Sequence, residues 1–329
     1  MGYNSENVKR IKALYEDKFR VASMEADARK RELWEKIPEV RELDTAIADI
    51  GLKAVYSSIG GGEGAVAIVK ALKEQSLELQ AEREKLLTSK GYPADYSAVH
   101  YECEKCLDSG YTDEGMCECM KRALILAGYE SSGLGKLMQT QTFEAFSLDY
   151  YRSKPENYEK MKHNFDTLKN FAENFSSSSP VNLALFGGTG LGKTHLSTAA
   201  AKTVIDKGYD VLYVTAVGML SDFEKERFGV GYSDTDVGSL ARYYDCDLLI
   251  VDDIGTEVSN QFTVSVIYNV INTRLAKKKS TVISTNLTPA ELRQRYWDRI
   301  ASRIFGEYTP LLFEGVDVRM QKLKAKSSK

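Results

Sequence analysis

A glycine-rich turn between an apolar run and a helical stretch is the feature that most constrains the fold of this chain. Residues 187–194 read Gly-Gly-Thr-Gly-Leu-Gly-Lys-Thr and fit the pattern G-x-x-x-x-G-K-[ST]. Backbone N–H groups can turn inward around phosphates because these glycines carry no Cβ, and the following helix adds a favourable dipole. Lys193 would reach the β- and γ-phosphates, and the Thr194 hydroxyl would bind Mg²⁺. The predicted nucleoside triphosphate site comprises Gly187, Gly188, Thr189, Gly190, Leu191, Gly192, Lys193 and Thr194.

The pattern of apolar residues around this turn predicts an α/β fold. Helical stretches separate short apolar runs at 181–186, 211–216, 248–252, 281–284 and 311–313. Alternation of this kind is typical of a parallel sheet that helices cover on both faces.

Two adjacent carboxylates, Asp252 and Asp253, follow the apolar residues at 248–251. Ligands of open α/β sheets bind at the carboxyl ends of the strands, so Asp252 is expected to face Lys193 and to hold Mg²⁺ directly or through water. Asp253 could orient or deprotonate the attacking water. Asn286, at the end of a later predicted strand, could fix a water near the γ-phosphate, although an asparagine there also suits a simple turn.

Four of the five cysteines lie within 17 residues. Tetrahedral zinc binds four thiolates that tight turns bring together, and close cysteine pairs in a reducing compartment favour metal over disulfide. His100 could replace one thiol, whereas the distant Cys246 is better explained as a small buried apolar residue. The pattern leaves no open coordination position, so we predict a structural zinc site formed by Cys103, Cys106, Cys117 and Cys119.

Helical spacing dominates the N-terminal third. Apolar residues recur at three- and four-residue steps over 5–50, where Pro38 breaks the run, and again over 65–90. Residues 56–64 are rich in glycine and serine and predict a loop. The result would be a helical hairpin or coiled coil, serving either as a partner-docking region or as a bundle without chemistry of its own. A short helix is also predicted from Lys121 to Ala127, with Gly128 ending it.

The net charge of −3 excludes a strongly basic surface over the whole chain, so any contact with nucleic acid must be local. The aromatic and basic residues between Phe223 and Tyr232 could stack bases and neutralise phosphates, or could form an ordinary amphipathic helix and loop. The lysines at 277–279 and near the C-terminus are other basic spots. No apolar run approaches a membrane span, and residues 1–19 lack the apolar core of a signal peptide, so we expect a cytoplasmic protein that does not engage a membrane.

Taken together, these motifs resemble those of AAA+ ATPases. More narrowly, residues 140–320 resemble the bacterial replicative-helicase loaders of the DnaC/DnaI type, which are related to the IstB-type transposition helper ATPases. The stretches that carry the resemblance are 142–146 (Thr-Phe-Glu-Ala-Phe), 185–195, 251–255, 284–286, 299–303 and 314–319.

The resemblance assigns roles to residues that no spacing rule identifies. Arg299 resembles the arginine finger, which would reach the γ-phosphate bound by a neighbouring subunit, with Arg303 and Arg274 as competing candidates. Arg319 resembles the sensor-two arginine. In the same comparison Asp252 and Asp253 fill the second acidic motif, as Asp-Asp where Asp-Glu is usual, and Asn286 fills the sensor-one position. Phe143 and Phe146 would pack near the adenine.

The resemblance also implies a parallel-sheet AAA+ domain without a full helical lid. We expect domains at 1–95 (partner-binding helices), 96–130 (zinc module), 131–180 (linker and leading helix) and 181–329 (ATPase). The implied function is an ATPase, slow alone, that loads the hexameric replicative helicase onto single-stranded DNA and self-associates through its ATPase domain. ATP, Mg²⁺ and Zn²⁺ would be its cofactors. The alternatives are a transposition helper ATPase and a nucleotide-binding adaptor with negligible hydrolysis.

Overall fold

The computed structural model describes residues 3–59, 65–135, 137–228 and 240–327. The chain divides into two compact units. One comprises the residues up to Ile11 together with those from Met120 onward, and the other runs from Lys12 to Cys119.

The bounds of the secondary-structure elements are as follows. The helices are α1 (Ser5–Lys36), α2 (Pro38–Ile59), α3 (Ala65–Ser89), α4 (Glu118–Ser131), α5 (Leu137–Thr140), α6 (Pro155–Glu173), α7 (Lys193–Asp206), α8 (Ala216–Phe228), α9 (Ala241–Asp245), α10 (Gln261–Ala276), α11 (Pro289–Glu307) and α12 (Val318–Ser327). The strands are β1 (Tyr111–Thr112), β2 (Gly115–Met116), β3 (Leu183–Phe186), β4 (Val211–Thr215), β5 (Leu248–Ile254), β6 (Ser280–Thr285) and β7 (Thr309–Leu312). A 3₁₀ turn spans Leu148–Tyr151.

A five-stranded parallel sheet forms the centre of the larger unit, with the spatial order β4-β5-β6-β3-β7. Strands β3 and β6 are buried along their whole length, as expected for a sheet with helices on both faces. This arrangement confirms the predicted α/β class. Because β6 lies between β3 and β5, the carboxyl ends of these three strands meet at the middle of one sheet edge.

Side chains of β3 alternate between two hydrophobic cores, as the two-residue repeat of a strand requires. Leu183 and Leu185 enter one core, whereas Ala184 and Phe186 enter the other. Each core therefore fixes one face of the strand, and the strand in turn fixes where the glycine-rich turn begins.

Local sequence sets the start of α11, the helix that carries Arg299. Thr288 accepts a hydrogen bond from the backbone N–H of Glu291, while the Glu291 carboxylate accepts one from the backbone N–H of Thr288. Pro289 occupies the first helical turn, where its missing N–H costs nothing. This capping box anchors the helix directly after β6.

The unit from Lys12 to Cys119 has its own small core of Leu33, Ile37, Val40 and Leu87. The Asp44 carboxylate adds a polar contact, accepting hydrogen bonds from Trp34 Nε1 at 2.7 Å and from Arg83 Nε at 2.6 Å. Helices α2 and α3 pack against each other, which confirms the predicted helical N-terminal region. In the described part of the chain, no helix has the length and apolarity that a bilayer span needs.

Two predicted boundaries were wrong. A loop was predicted at 56–64, but helix α2 continues through Tyr56 to Ile59. The rest of the predicted loop, at 60–64, lies outside the described residues. A helix end was also predicted at Gly128, but α4 continues to Ser131. A Cβ at Gly128 would stand 3.2 Å from Ile205 Cγ2, so this glycine permits close helix packing and does not end the helix.

Candidate nucleotide site and cysteine cluster

The glycine-rich turn connects β3 to α7 and has the shape that its glycines allow. Gly190 and Gly192 adopt left-handed φ angles of 75° and 90°. A Cβ at Gly190 would stand 2.0 Å from the Asp317 carboxylate, and one at Gly192 would stand 2.8 Å from the Phe146 ring. Both the backbone conformation and the close neighbours therefore require glycine at these two positions.

Lys193, the first residue of α7, is buried at 5 % exposure. Its Nζ donates hydrogen bonds to the backbone oxygens of Gly187 at 2.5 Å and Gly188 at 2.9 Å, and to Asn286 Oδ1 at 2.6 Å. Burial lowers the pKa of Lys193, and the negative charges of Asp253 and Asp252 oppose that shift. The ammonium group thus lies at the mouth of the turn, next to the amide at the end of β6.

Three hydroxyl groups surround the buried Asp252 carboxylate. Thr194 Oγ1 donates to Oδ2 at 2.9 Å, the Tyr213 hydroxyl donates to the same oxygen at 2.6 Å, and Ser284 donates to Oδ1. Thr194 and Asp252 supply hydroxyl and carboxylate oxygens, the donors that Mg²⁺ prefers, so they fit a magnesium site. Sequence reasoning missed Tyr213 and Ser284, although both are polar residues on strands adjacent to β5.

Asp253 has a left-handed φ of 57°, which is unusual for a residue with a Cβ, and the β5–β6 register shifts beside it. Its backbone N–H donates to Ser284 Oγ at 2.9 Å, and Asn286 Nδ2 lies 3.5 Å from its Oδ1. Burial raises the pKa of Asp253, and the negative charge of Asp252 raises it further, whereas the positive charge of Lys193 lowers it. The irregular strand end directs this carboxyl group into the cleft that Lys193 lines.

The same cleft is walled by the segment before α6 and by the first turns of α12. Phe146 and Tyr151 form its aromatic side, and Arg319 and Lys322 face them from α12. The Tyr151 hydroxyl donates to the Leu191 backbone oxygen at 2.8 Å, which holds this wall against the glycine-rich turn.

The structure separates the two phenylalanines that were expected near the adenine. Phe146 lines the cleft, stacked on Tyr151 and at right angles to His195. Phe143 lies outside the cleft lining and is buried edge-on against Phe165, and Phe165 in turn stacks on Phe146.

The candidate arginines lie in three different environments. Arg299 is exposed on α11 and is not among the described residues that line the cleft. Arg303 lies over the Tyr268 ring at 5.4 Å in its own chain. Arg274 is fully buried, and its guanidinium donates to the backbone oxygens of Ser280 at 2.6 Å and Tyr243 at 3.0 Å. The proposal that Arg274 acts on another subunit was therefore wrong, because this side chain stabilises the core.

Several basic residues of the predicted nucleic-acid segments have partners in the described part of the same chain. The Arg227 guanidinium lies over the Phe262 ring at 5.2 Å, and Phe223 packs on Tyr243. Lys277 pairs with Asp245 at 2.6 Å. The rest of the aromatic and basic run, including Tyr232, lies outside the described residues.

The four clustered cysteines converge, with all their Sγ atoms within 4.8 Å of one another. The Cys103–Cys117 and Cys106–Cys119 Sγ atoms are 3.9 and 3.5 Å apart. A tetrahedron with Zn–S bonds of about 2.3 Å has ligand separations of about 3.8 Å. The donor set and spacing therefore fit zinc, and His100 is not part of the cluster.

Tight turns hold this cluster in place. Leu107 and Asp108 have left-handed φ angles, and the Asp108 carboxylate accepts hydrogen bonds from the backbone N–H groups of Glu102 at 2.9 Å and Cys103 at 2.8 Å. The backbone and thiol of Cys106 lower the pKa of Cys103 to about 7, whereas burial raises the pKa of Cys106 and raises that of Cys119 to about 12. A lower pKa favours the thiolate, which is the form that binds metal.

Metal analysis of the purified chain is expected to give one zinc per molecule. Replacing Cys103 or Cys117 by serine should lower that ratio and increase proteolysis of the Lys12–Cys119 unit, because metal binding and local folding are coupled. Cys246→Ala is the matched control, since Cys246 lies apart from the cluster and should leave the zinc content unchanged. Full zinc content in a double variant at Cys103 and Cys117 would rule out the site.

The fold and the cleft define a P-loop nucleotide-binding protein of the AAA+ class. The model of the IstB-like ATP binding protein family matches residues 131–305, more than half of the chain. The chain therefore belongs to this family, which confirms the AAA+ resemblance and supports ATP as the nucleotide.

Several of the similar proteins carry names that refer to DNA replication. The chain is 27% identical over 176 residues to the replicative helicase loader DnaC of Buchnera aphidicola subsp. Baizongia pistaciae, covering 53% of this chain and 66% of that protein. It is 30% identical over 146 residues to the chromosomal replication initiator protein DnaA of Aliarcobacter butzleri, covering 44% and 32%. It thus spans less than two thirds of either relative. A crystal structure of the DnaC helicase loader matches 52% of this chain and 98% of its own, at 25% identity and a TM-score of 0.43.

Proposed function

We propose that this protein is an ATP-dependent loader of the replicative DNA helicase. The observation that carries the proposal is the cleft itself, in which Lys193 meets Asn286 and Thr194 meets Asp252, in a family member similar to DnaC. A loader needs ATP as a switch, and these contacts are the ones that binding of phosphates and Mg²⁺ would rearrange.

Each cleft residue has a defined task in this proposal. Lys193 exchanges its contacts with the turn carbonyls for the phosphates, because a charged acceptor binds an ammonium group more strongly than a carbonyl does. Thr194 and Asp252 would hold Mg²⁺, which would supply positive charge to the phosphates. Asp253 orients the attacking water and accepts its proton, and Asn286 fixes that water near the γ-phosphate. Arg319 adds positive charge from α12.

The Lys12–Cys119 unit would bind the helicase. Its helices α2 and α3 expose large apolar side chains, including Leu52 at 58 %, Tyr56 at 73 % and Ile68 at 52 %. Exposed apolar side chains of this number on two neighbouring helices favour a protein-binding surface. The cysteine cluster would stiffen the same unit, and the ATPase unit would bind single-stranded DNA and self-associate.

Reconstitution tests this proposal. The immobilised chain is offered purified replicative helicase or purified transposase from the same source, with ATP and circular single-stranded DNA. A loader retains the helicase and increases its unwinding of a circular substrate, whereas a transposition helper retains the transposase. Retention of transposase alone contradicts the proposal. Helicase loading without measurable ATP hydrolysis favours the nucleotide-binding adaptor.

Asp252→Asn is expected to reduce ATP hydrolysis much more than ATP binding. The amide keeps the shape of the side chain but removes the negative charge that would hold Mg²⁺. Steady-state phosphate release and titration with a fluorescent ATP analogue measure the two effects. Asp245→Asn, at an exposed carboxylate paired with Lys277, is the control and should alter neither. Normal hydrolysis by Asp252→Asn would remove Asp252 from the proposed metal site.

A further inference from the structure

One cleft residue has a buried polar atom that no contact in the described chain explains. Gln141 directly follows α5 and lines the same cleft as Lys193 and Phe146. Its backbone N–H donates to the Leu137 oxygen at 2.8 Å. Its side-chain Oε1, however, is buried without a hydrogen-bond donor among the described residues. Leaving such an atom unpaired destabilises the folded chain, so its place beside a ligand cleft requires a reason.

The position of Gln141 in the cleft points to the base of the nucleotide. The phosphates belong at the glycine-rich turn and Lys193. Gln141 instead belongs to the segment before α6, which also contributes the aromatic residues Phe146, Tyr150 and Tyr151 to the cleft lining. His195 Nε2 lies 2.8 Å from the backbone oxygen of Thr142, which anchors the segment next to Gln141 onto α7. This contact fixes the backbone next to Gln141 on the side of the cleft that the aromatic residues line.

We infer that Gln141 selects adenine over guanine in this cleft, an inference that rests on the proposed nucleotide-binding function. When the side chain turns toward the bound base, Oε1 accepts a hydrogen bond from the exocyclic amine of adenine, and Nε2 of the same amide donates to the adjacent ring nitrogen N7. Guanine carries a carbonyl oxygen where adenine carries that amine. The guanine carbonyl oxygen and Oε1 are both hydrogen-bond acceptors, so they would repel each other and Oε1 would remain unpaired. A site built to satisfy a polar group rejects the analogue that cannot do so.

Competition binding with the full-length chain tests this inference. ATP and GTP, each with Mg²⁺, displace a fluorescent ATP analogue, and the ratio of their affinities is the readout. We expect the wild-type chain to bind ATP at least about tenfold more tightly than GTP, because guanine loses one hydrogen bond and leaves the acceptor unpaired. Gln141→Leu should weaken ATP binding by about tenfold and bring the ATP-to-GTP ratio close to one.

Two further variants separate base selection from damage to the cleft. Gln141→Glu keeps an acceptor for the amine of adenine and should still prefer ATP, whereas Gln141→Lys offers only donors and should shift the preference toward GTP. Gln139→Leu makes the same change at an exposed position on α5 and should leave the ratio unchanged.

The possible outcomes distinguish failure of the inference about Gln141 from failure of the proposed nucleotide-binding function. A wild-type chain that binds ATP and GTP equally, or a Gln141→Leu chain that keeps the wild-type ratio, overturns the role of Gln141 and leaves the nucleotide site intact. A wild-type chain that binds neither nucleotide overturns the proposed function and this inference with it.

Discussion

Lys193→Ala is expected to abolish detectable ATP binding while leaving the fold intact. Its ammonium group would donate charge-assisted hydrogen bonds to the β- and γ-phosphates, each contributing about 1.5–3 kcal/mol. Two such bonds correspond to a loss of at least about 100-fold in affinity. Without nucleotide, the same group donates hydrogen bonds to the backbone oxygens of Gly187 and Gly188 and to Asn286 Oδ1. Gly188 is exposed and Asn286 lines the cleft, so water can replace the ammonium group there.

Titration of a fluorescent ATP analogue measures the loss, and circular dichroism with thermal unfolding checks the fold. Lys202→Ala is the matched control, because Lys202 lies on the same helix but pairs with Asp206 at 2.8 Å, away from the cleft. Wild-type affinity in Lys193→Ala would mean that the glycine-rich turn does not bind the phosphates.

Arg299→Ala is expected to bind ATP almost normally but to hydrolyse it poorly, with a loss on the order of 10³ or more if Arg299 acts as an arginine finger. A finger stabilises charge in the transition state, so its removal affects turnover more than binding. Arg299 is exposed on α11 and is not among the described residues of its own cleft, so it would act on a neighbouring subunit. Arg303 is the weaker candidate because its guanidinium already lies over Tyr268.

Mixing variants distinguishes action within a subunit from action between subunits. An Arg299→Ala chain keeps an intact phosphate site, and a Lys193→Ala chain keeps an intact arginine. An equal mixture can form a competent interface and should recover part of the ATPase activity in the presence of single-stranded DNA. Mixed oligomers detected by light scattering but without recovered activity would show that Arg299 does not act in trans. Arg293→Ala, on the exposed face of the same helix, should retain wild-type turnover.

Short motifs determined the candidate nucleotide turn, the acidic pair and the cysteine cluster before any contact was known. The residues at 187–194 are contiguous, so the turn, its glycines and the helix start are all local properties of the chain. Asp252 and Asp253 could be placed near Lys193 because ligands gather at the carboxyl ends of parallel strands. The cysteines could be grouped because short turns between them leave few geometries.

Tertiary structure alone decided which distant groups meet. The order β4-β5-β6-β3-β7 places Asn286 against Lys193, and the pairing of β4 with β5 brings Tyr213 to Asp252. No short sequence motif predicts either contact, because strand order depends on how helices pack on both faces of the sheet. The same holds for the two residues whose roles sequence reasoning misjudged or overlooked. Arg274 is buried because several separate segments surround it. Gln141 became a candidate only because its side-chain oxygen is buried without a hydrogen-bond donor among the described residues. Local geometry follows from neighbours in sequence, whereas burial and long-range hydrogen bonding depend on the complete fold.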